Sequence, residues 1–267
     1  MAKTGAKTAI KPAGRRKRGA QTKMTLALFS MMLPGLIYLI INNYIPMAGL
    51  VIAFKRFNYG KGIWGSDWAG LSNFTYLFKT QDATNIIRNT IGYNLTFILL
   101  GNVLAVAVAV MLNFMRGTLN KKIYQTVILV PYLISMVVVS YIVFGFLSQE
   151  NGFLNKILIS LGKDPVSWYT TSKYWPFILV FVNLWKGFGY SSILYYATVI
   201  GIDSSLYEAA TVDGANRWKQ VWHVTLPGLR GTIITMVLLS IGRMFYSDFG
   251  LFYQVPMRSG LISSVTD

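Results

Sequence analysis

Long stretches without a charged side chain constrain the fold of this 267-residue chain more than any other feature. The three uncharged stretches are residues 24–54, 89–115 and 123–149. Each is longer than the roughly 20 apolar residues that a helix needs to cross a bilayer. Two later apolar stretches are interrupted by Lys186 and Arg243. Spanning helices are therefore predicted near 25–47, 90–114, 125–147, 175–200 and 228–247. This pattern predicts an all-α integral membrane protein, a multi-spanning helical bundle.

Composition removes several other classes of protein. A soluble nucleic-acid-binding domain could carry the net charge of +16, but not with 54% hydrophobic residues and only 13% charged residues. The same hydrophobicity excludes a disordered chain. Because the chain has no cysteine and one histidine, His223, a disulfide framework, a thiolate nucleophile and a Cys/His metal site are excluded. We expect no metal site.

Basic residues near the N-terminus predict the orientation. The tail contains Lys3, Lys7, Lys11, Arg15, Arg16, Lys17, Arg18 and Lys23, with no acidic residue. Because cytoplasmic segments collect Lys and Arg, the N-terminus is expected in the cytoplasm. The length of the tail and the missing small-residue cleavage pattern argue against a secretory signal. The predicted segments are a disordered tail at 1–23, a first transmembrane helix at 24–54, an outside loop at 55–88 and a core at 89–267.

Motifs for catalysis and phosphate binding are missing from the sequence. It contains no Gly-x-x-x-x-Gly-Lys loop and no Gly-x-Ser-x-Gly elbow. Gly60-Lys-Gly62-Ile-Trp-Gly65 matches a dinucleotide-binding pattern, but no strand–helix–strand unit surrounds it, so a turn-rich loop is the expected structure. The acidic residues are scattered and form no catalytic pair. No catalytic residue is assigned, and an intramembrane enzyme has no support.

A polar loop at 201–227, expected in the cytoplasm, is the most informative segment. Ser205-x-x-Glu208 predicts a capping box that begins a helix, and Asp213-Gly214 predicts its end. Ala209 and Ala210 give this helix a small surface that another protein can approach closely. A second amphipathic helix is predicted from 215 to about 224, with three apolar residues on one face, Trp218, Val221 and Trp222. Leu226-Pro227 is expected to separate this helix from the last span.

Seven positions of this loop resemble the EAA motif of ABC-importer permeases. They are Glu208-Ala-Ala, then Gly214, then Val224-x-Leu226-Pro227, with Val where Ile is usual. Over nearly its whole length the chain is similar to maltose-type, binding-protein-dependent sugar permeases, in particular those for oligosaccharides and polysaccharide fragments. Two other segments fit this resemblance, Trp68-x-Gly70-Leu-x-Asn73-Phe and Gly242–Phe252.

The resemblance implies a type I importer fold and a coupling loop at 201–227 that docks on a cytoplasmic ATPase. The implied coupling residues are Ser205, Glu208, Ala209, Ala210, Asp213, Gly214, Leu226 and Pro227. Implied partners are the bilayer, a second permease, two ATPase subunits, an extracytoplasmic solute-binding protein and a sugar, with no nucleic acid. ATP and Mg belong to the ATPase, and this chain needs no cofactor. Because such permeases usually have a sixth helix, we expect one beyond the C-terminus of this sequence.

Two cations fall inside predicted spans, and each has more than one interpretation. Lys186 lies about 16 Å into the fourth span at 1.5 Å per residue, where an ammonium needs water or a partner, so it is predicted to face the pore. Arg243 can reach the outer interface or pair with Asp248. Nearby aromatic residues can stack on sugars, although most are expected to be packing groups or interfacial anchors. The candidate substrate path contains Asn183, Lys186, Tyr190, Arg243, Tyr246 and Asp248.

The predicted function is that of a multi-pass transport subunit in a prokaryotic cell membrane, driven by a partner ATPase. The two intramembrane cations give a hypothesis that the sugar is acidic. The alternative function is a non-transporting membrane scaffold whose basic tail binds anionic lipid or nucleic acid.

Overall fold

The computed structural model describes residues 16–262 and 264–266. Residues 1–15, most of the stretch expected to be a tail, lie outside the described residues. Nearly all regular structure in the described part is helical, which confirms the predicted all-α class. The chain divides into two compact units, Met1–Lys79 and Thr80–Asp267.

The first unit begins with a long apolar helix. It consists of α1 (Arg16–Leu39), a π-helical turn, α2 (Ile45–Met47) and a 3-10 segment that ends at Phe54. Because α1 begins at Arg16, residues 16–23 are helical, and the prediction that the whole stretch 1–23 is disordered is wrong. Arg, Lys and Ala are good helix formers, so they extend the apolar helix toward the N-terminus.

The rest of the first unit folds around the Lys55 side chain. Its elements are β1 (Lys55–Arg56), α3 (Gly62–Gly65), β2 (Asp67–Trp68), antiparallel to β1, and α4 (Ser72–Lys79). The Lys55 ammonium donates to the carbonyls of Ile63 (3.2 Å) and Trp64 (2.9 Å). The glycine-rich segment therefore wraps a cation of its own chain, which confirms the expected turn-rich loop.

The second unit contains the remaining helices. They are α5 (Gln81–Phe114), α6 (Thr118–Leu133), α7 (Met136–Leu147), α8 (Phe153–Ser160), α9 (Trp175–Val199), α10 (Ser204–Val212), α11 (Arg217–Gln220) and α12 (Leu226–Ile241). Helix α9 is central because it packs against α5, α6 and α12. Its buried residues Tyr195 and Val199 meet Ala105 and Ala109 of α5. Small residues allow such close helix packing in a membrane, where apolar burial alone gives little driving force.

Four helices of the described chain are long and apolar enough to span a membrane. They are Lys23–Phe54, Ala83–Phe114, Ser172–Val199 and Arg217–Ile241. The predicted span at 125–147 is interrupted, because α6 and α7 meet at an angle of 94° and count as a fifth span only as a pair. Pro131 removes a helical hydrogen bond before the bend, and the Ser135 side chain accepts from the Val138 N–H to begin α7.

Prolines account for the π-helical turns of the described chain. The turns Ile40–Tyr44, Val221–Thr225 and Gly250–Gln254 each end two residues before a proline. These prolines are Pro46, Pro227 and Pro256. A proline has no N–H, and its ring clashes with the carbonyl four residues earlier. A wider turn moves that carbonyl away, so the helix continues through the proline.

Candidate functional site

The coupling loop begins with a capped helix, α10. The Asp203 carboxylate accepts a hydrogen bond from the Ser205 N–H (2.9 Å), so Asp203 is the N-cap. The predicted capping box of Ser205 and Glu208 is therefore wrong, because an aspartate nearer the N-terminus provides an equally good cap. The hydrogen bonds from Ser205 hold the pKa of Asp203 below its ordinary value of 3.8.

The turn at Asp213-Gly214 ends helix α10, as the sequence predicted. Gly214 has a φ of +75°, a conformation that glycine adopts without the strain of a Cβ. Its N–H donates to the Thr211 carbonyl (3.0 Å), and the Ala215 N–H donates to the Ala210 carbonyl (2.9 Å). These two bonds form a Schellman motif, which satisfies carbonyls at the end of the helix and turns the chain sharply.

The second helix of the loop is continuous with the last span. Asn216 caps α11 by accepting from the Lys219 N–H (2.9 Å). The chain then passes through the π turn Val221–Thr225 into α12. The predicted separation at Leu226-Pro227 is therefore wrong, because the π turn accommodates Pro227 within a helix.

The outer surface of α10 combines one acid with small and apolar groups. Glu208 and Ala209 are exposed, and Ala210 is half-buried. Leu206 and Val212 are 53% and 88% exposed. No ion pair to Glu208 is present in the part of the chain that the structure describes. The helix thus presents an unneutralised carboxylate beside a surface that a partner can approach closely.

A polar cavity of about 320 Å³ lies between α5, α9, α12 and the segment that follows α12. Four of the six predicted substrate-path residues line it: Asn183, Arg243, Tyr246 and Asp248. The predicted span 228–247 ends early, because α12 stops at Ile241 and Arg243 lies in the next turn. The end of this helix brings Arg243 to the cavity.

The two charged groups of the cavity are not paired with each other. Asp248 accepts from the Leu251 N–H (3.2 Å) and so caps the following helical turn. The expected alternative of an Arg243–Asp248 ion pair is not formed, and no described group makes a hydrogen bond or ion pair with the Arg243 side chain. The exposed Arg243 guanidinium is therefore available to a ligand.

Lys186 and Tyr190, the other two predicted path residues, do not line this cavity. The Lys186 ammonium donates to the carbonyl of Tyr132 (2.9 Å). Tyr190 stacks on the Tyr132 ring with centroids 4.7 Å apart. The partner that an intramembrane ammonium needs is thus provided by backbone carbonyls near the bend between α6 and α7.

Several cavity residues were not predicted. They are the amides Asn94 and Asn102 and the hydroxyl groups of Ser191, Tyr195 and Ser240. The Tyr195 hydroxyl donates to Asn102. The eight-residue spacing of Asn94 and Asn102 places two amides on one face of α5, and this regularity in an apolar span could have identified them. Among the described residues, no group of three or more His, Asp or Glu could hold a metal ion.

Comparison with known proteins identifies the family of this chain. Residues 101–247, which include the C-terminal part of α5, all of α9 and α12, and the loop 201–227, match the family described as binding-protein-dependent transport system inner membrane component. The chain belongs to this family. Protein LplB of Bacillus subtilis is 34% identical over 240 residues, covering 90% of this chain and 75% of that protein.

Two further similar proteins are described as transport proteins. The polygalacturonan/rhamnogalacturonan transport system permease protein YteP of Bacillus subtilis is 34% identical over 215 residues, 80% of this chain and 67% of that protein. A crystal structure of a bacterial ABC transporter involved in the import of the acidic polysaccharide alginate has a TM-score of 0.82 at 30% identity. The match covers 94% of this chain and 83% of the similar chain in that crystal structure.

These findings confirm the resemblance to sugar permeases of ABC importers and the type I importer fold. This inner membrane component is a transport permease subunit. The alternative function, a non-transporting scaffold, has no support from them.

Proposed function

We propose that this inner membrane component carries acidic oligosaccharides through the polar cavity, and that Arg243 recognises their carboxylates. The observation that carries the proposal is the exposed Arg243 guanidinium, which lines a cavity of amides and hydroxyls without a partner among the described residues. A guanidinium binds a carboxylate through two parallel hydrogen bonds.

Amide side chains supply the other half of the recognition. Asn94, Asn102 and Asn183 line the same cavity as Arg243. The side-chain nitrogens of Asn94 and Asn102 already donate to backbone carbonyls. Asn183 makes no side-chain hydrogen bond to a described residue, so its amide can both donate to and accept from sugar hydroxyls. Tyr246 adds an aromatic ring, 69% exposed, on which a sugar face can stack. The similarity to a transporter for alginate, an acidic polysaccharide, supports the same class of substrate.

Replacing Arg243 tests this proposal. We expect Arg243→Gln to lower uptake of an acidic oligosaccharide about tenfold, because a hydrogen bond to a charged group is lost. Uptake of a neutral oligosaccharide of matched length should not change. Arg258→Gln is the matched control, because the Arg258 guanidinium lies over the Tyr253 ring and does not line the cavity. Equal losses for acidic and neutral sugars would contradict the assignment.

We also propose that the coupling loop transmits ATP-driven motion from partner subunits. The complete transporter would contain a second permease, two ATPase subunits that bind ATP and Mg, and an extracytoplasmic solute-binding protein. The exposed Glu208 would pair with a basic group of an ATPase, and the αL turn at Gly214 would shape the docking surface. The N-terminus and the coupling loop would then lie in the cytoplasm.

Two substitutions test the coupling role. We expect Glu208→Ala and Gly214→Asp each to abolish uptake while the subunit remains in the membrane. Glu150→Ala is the matched control, since Glu150 is an exposed acid outside the coupling loop. Normal uptake by both coupling variants would refute this role.

Cysteine labelling tests the orientation. The chain has no cysteine, so each introduced cysteine is a unique label. A membrane-impermeant maleimide should label Ser160→Cys in intact cells and Ser204→Cys only after permeabilisation. The reverse pattern would place the coupling loop outside.

A further inference from the structure

The bend between α6 and α7 is held by a side chain from another helix. The Lys186 ammonium on α9 donates to three backbone carbonyls, those of Pro131 (3.3 Å), Tyr132 (2.9 Å) and Ile134 (2.6 Å). These carbonyls surround the point where the chain turns by 94°. One side chain therefore satisfies most of the polar backbone that the bend exposes.

The carbonyls need such a partner because the helix stops there. The last carbonyls of any helix have no N–H partner within that helix. Helix α6 ends at Leu133, and Ile134 is extended with φ −72° and ψ 133°. In a bilayer an unsatisfied carbonyl is costly, since no bulk water is present. An ammonium at a helix C-terminus also interacts favourably with the helix dipole.

Two more residues of α9 contact α6 within one turn of Lys186. Gly189 lies so close that a Cβ at this position would be 1.8 Å from the Ile128 carbonyl oxygen. Tyr190 stacks on Tyr132 at an interplanar angle of 12°. Residues spaced three and four apart share one face of a helix. Lys186, Gly189 and Tyr190 therefore form a single contact surface, here named the 186–190 joint.

The joint lies on the helix that leads into the coupling loop. Helix α9 ends at Val199, and Asp203 already caps α10. The short connection is itself turned, with the Ile202 N–H donating to the Val199 carbonyl (3.2 Å). A Cβ on Gly228 of α12 would be 2.6 Å from the Ile202 side chain, so this connection is also tightly packed. Because this connection is short and tightly packed, a displacement of α10 should also displace α9.

We infer that Lys186 is a positioning residue that fastens the α6–α7 bend to α9, so that motion of the coupling loop moves the bent pair together with α9. This inference rests on the proposed coupling role of α10. Without the ammonium, the three carbonyls at the bend lose their partner, and the angle between α6 and α7 is no longer fixed relative to α9.

Spin-label distances in the assembled transporter test the inference. Labels at Tyr141→Cys on α7 and Phe177→Cys on α9 use positions that are 63% and 77% exposed. In the parent protein and in Lys186→Arg, whose guanidinium also donates several hydrogen bonds, we expect one narrow distance in both the resting and the ATP-trapped states. In Lys186→Met we expect a broad distribution and an uptake lower by about tenfold. Lys173→Met is the control, because Lys173 lies in the turn before α9, away from the bend.

A narrow, unchanged distance together with normal uptake in Lys186→Met would overturn the inference. If Lys186→Met does not reach the membrane, Lys186→Gln is the second variant, because its shorter, uncharged amide cannot donate to all three carbonyls. It should broaden the same distance, and an unchanged distribution would overturn the inference. Failure of the coupling proposal is distinguishable, because the resting-state distance requires no ATPase activity.

Discussion

Tyr207 of α10 and Thr225 of the π turn Val221–Thr225 are joined by a hydrogen bond of 3.0 Å between their hydroxyl oxygens. Thr225 is completely buried. A second bond links α10 to α11, from the Gln220 side-chain amide to the Thr211 hydroxyl (2.9 Å). Helix α10 is therefore attached to the spanning helix that follows it as well as to α9, and we expect it to move with them as part of a rigid body.

A double-mutant cycle measures the Tyr207–Thr225 attachment. We expect Tyr207→Phe and Thr225→Val each to lower the free energy of unfolding, by about 1 kcal/mol. Together they should cost less than the sum of the single effects, because either change already removes the shared bond. Thermal denaturation of the four proteins in detergent gives the coupling energy. Strict additivity would mean that the two hydroxyls do not stabilise each other.

Substitution of Gly214 separates backbone strain from steric clash. No atom lies within 4 Å of a Cβ built at this position, so only the φ of +75° opposes a side chain. We expect Gly214→Ala to destabilise the protein by roughly 1 kcal/mol and Gly214→Asn by less, since Asn tolerates this conformation better than Ala. The melting temperature measures both.

Gly145→Ala is the matched control for this prediction. Gly145 lies inside α7, also with no atom within 4 Å of a built Cβ, and its φ is not positive. Alanine is favoured over glycine in a helix interior by up to about 1 kcal/mol. Opposite shifts in melting temperature at positions 145 and 214 are therefore expected, and shifts of the same sign would contradict the backbone explanation.

Asn155 organises the loop that connects α7 to α9. Its buried side-chain amide donates to the carbonyls of Ser148, Gln149 and Val166, at 3.3, 3.1 and 2.9 Å. Its oxygen accepts from the Val166 N–H and the Trp168 indole, both at 3.0 Å. The Asn155 amide thus fixes the path of the chain at both ends of α8. In the same loop, burial raises the pKa of Tyr169 to about 12.

Loss of this amide should be costly. We expect Asn155→Ala to lower the free energy of unfolding by about 3 kcal/mol, because buried backbone groups lose their partners. The exposed neighbouring Lys156→Ala is the control and should change stability by less than about 0.5 kcal/mol. Thermal denaturation distinguishes them. A similar melting temperature for both variants would show that water replaces the amide.

The Asp203 cap predicts a dependence on pH. Its pKa in the folded protein is below the ordinary value of 3.8, because the charged form accepts hydrogen bonds from Ser205. The stabilisation by this carboxylate is therefore complete above pH 3.8 and is lost as the pH falls through the lower, folded-state pKa. Asp203→Asn keeps a capping oxygen that does not titrate in this range.

Melting temperatures of the parent and Asp203→Asn should differ by a constant amount between pH 5 and pH 7. Below about pH 3.8 the parent should lose stability relative to the variant. A difference that stays the same down to pH 3 would mean that the cap bond does not depend on the charge.

Local sequence patterns predicted much of the fold. Helix α5 contains the predicted span 90–114, and α9 matches the predicted span 175–200 to within one residue, because a mostly apolar stretch of this length satisfies its backbone in a bilayer only as a helix. Gly214 was identified as the end of α10 because its role depends only on its own conformation. In contrast, Asp203 was missed as the cap since the neighbouring Ser205 offered a competing local pattern.

The substrate path required tertiary structure. The sequence named Arg243 and Asp248 as candidates but left open whether they pair, and the structure shows Asp248 bound to the Leu251 N–H instead. Asn94 and Asn102 join Arg243 in one cavity only because α5 packs along α9. Side chains from distant parts of the chain cannot be placed together by local spacing.

The sequence by itself determined the membrane-spanning class, the helical coupling loop and the left-handed turn that ends its first helix, because these follow from apolar length and local backbone chemistry. Only the tertiary structure decided what Lys186 does. A charge inside a span needs a partner, and sequence can state that need without naming the partner. The carbonyls of Pro131, Tyr132 and Ile134 precede Lys186 by more than fifty residues. They face it because the chain bends sharply between α6 and α7, beside α9.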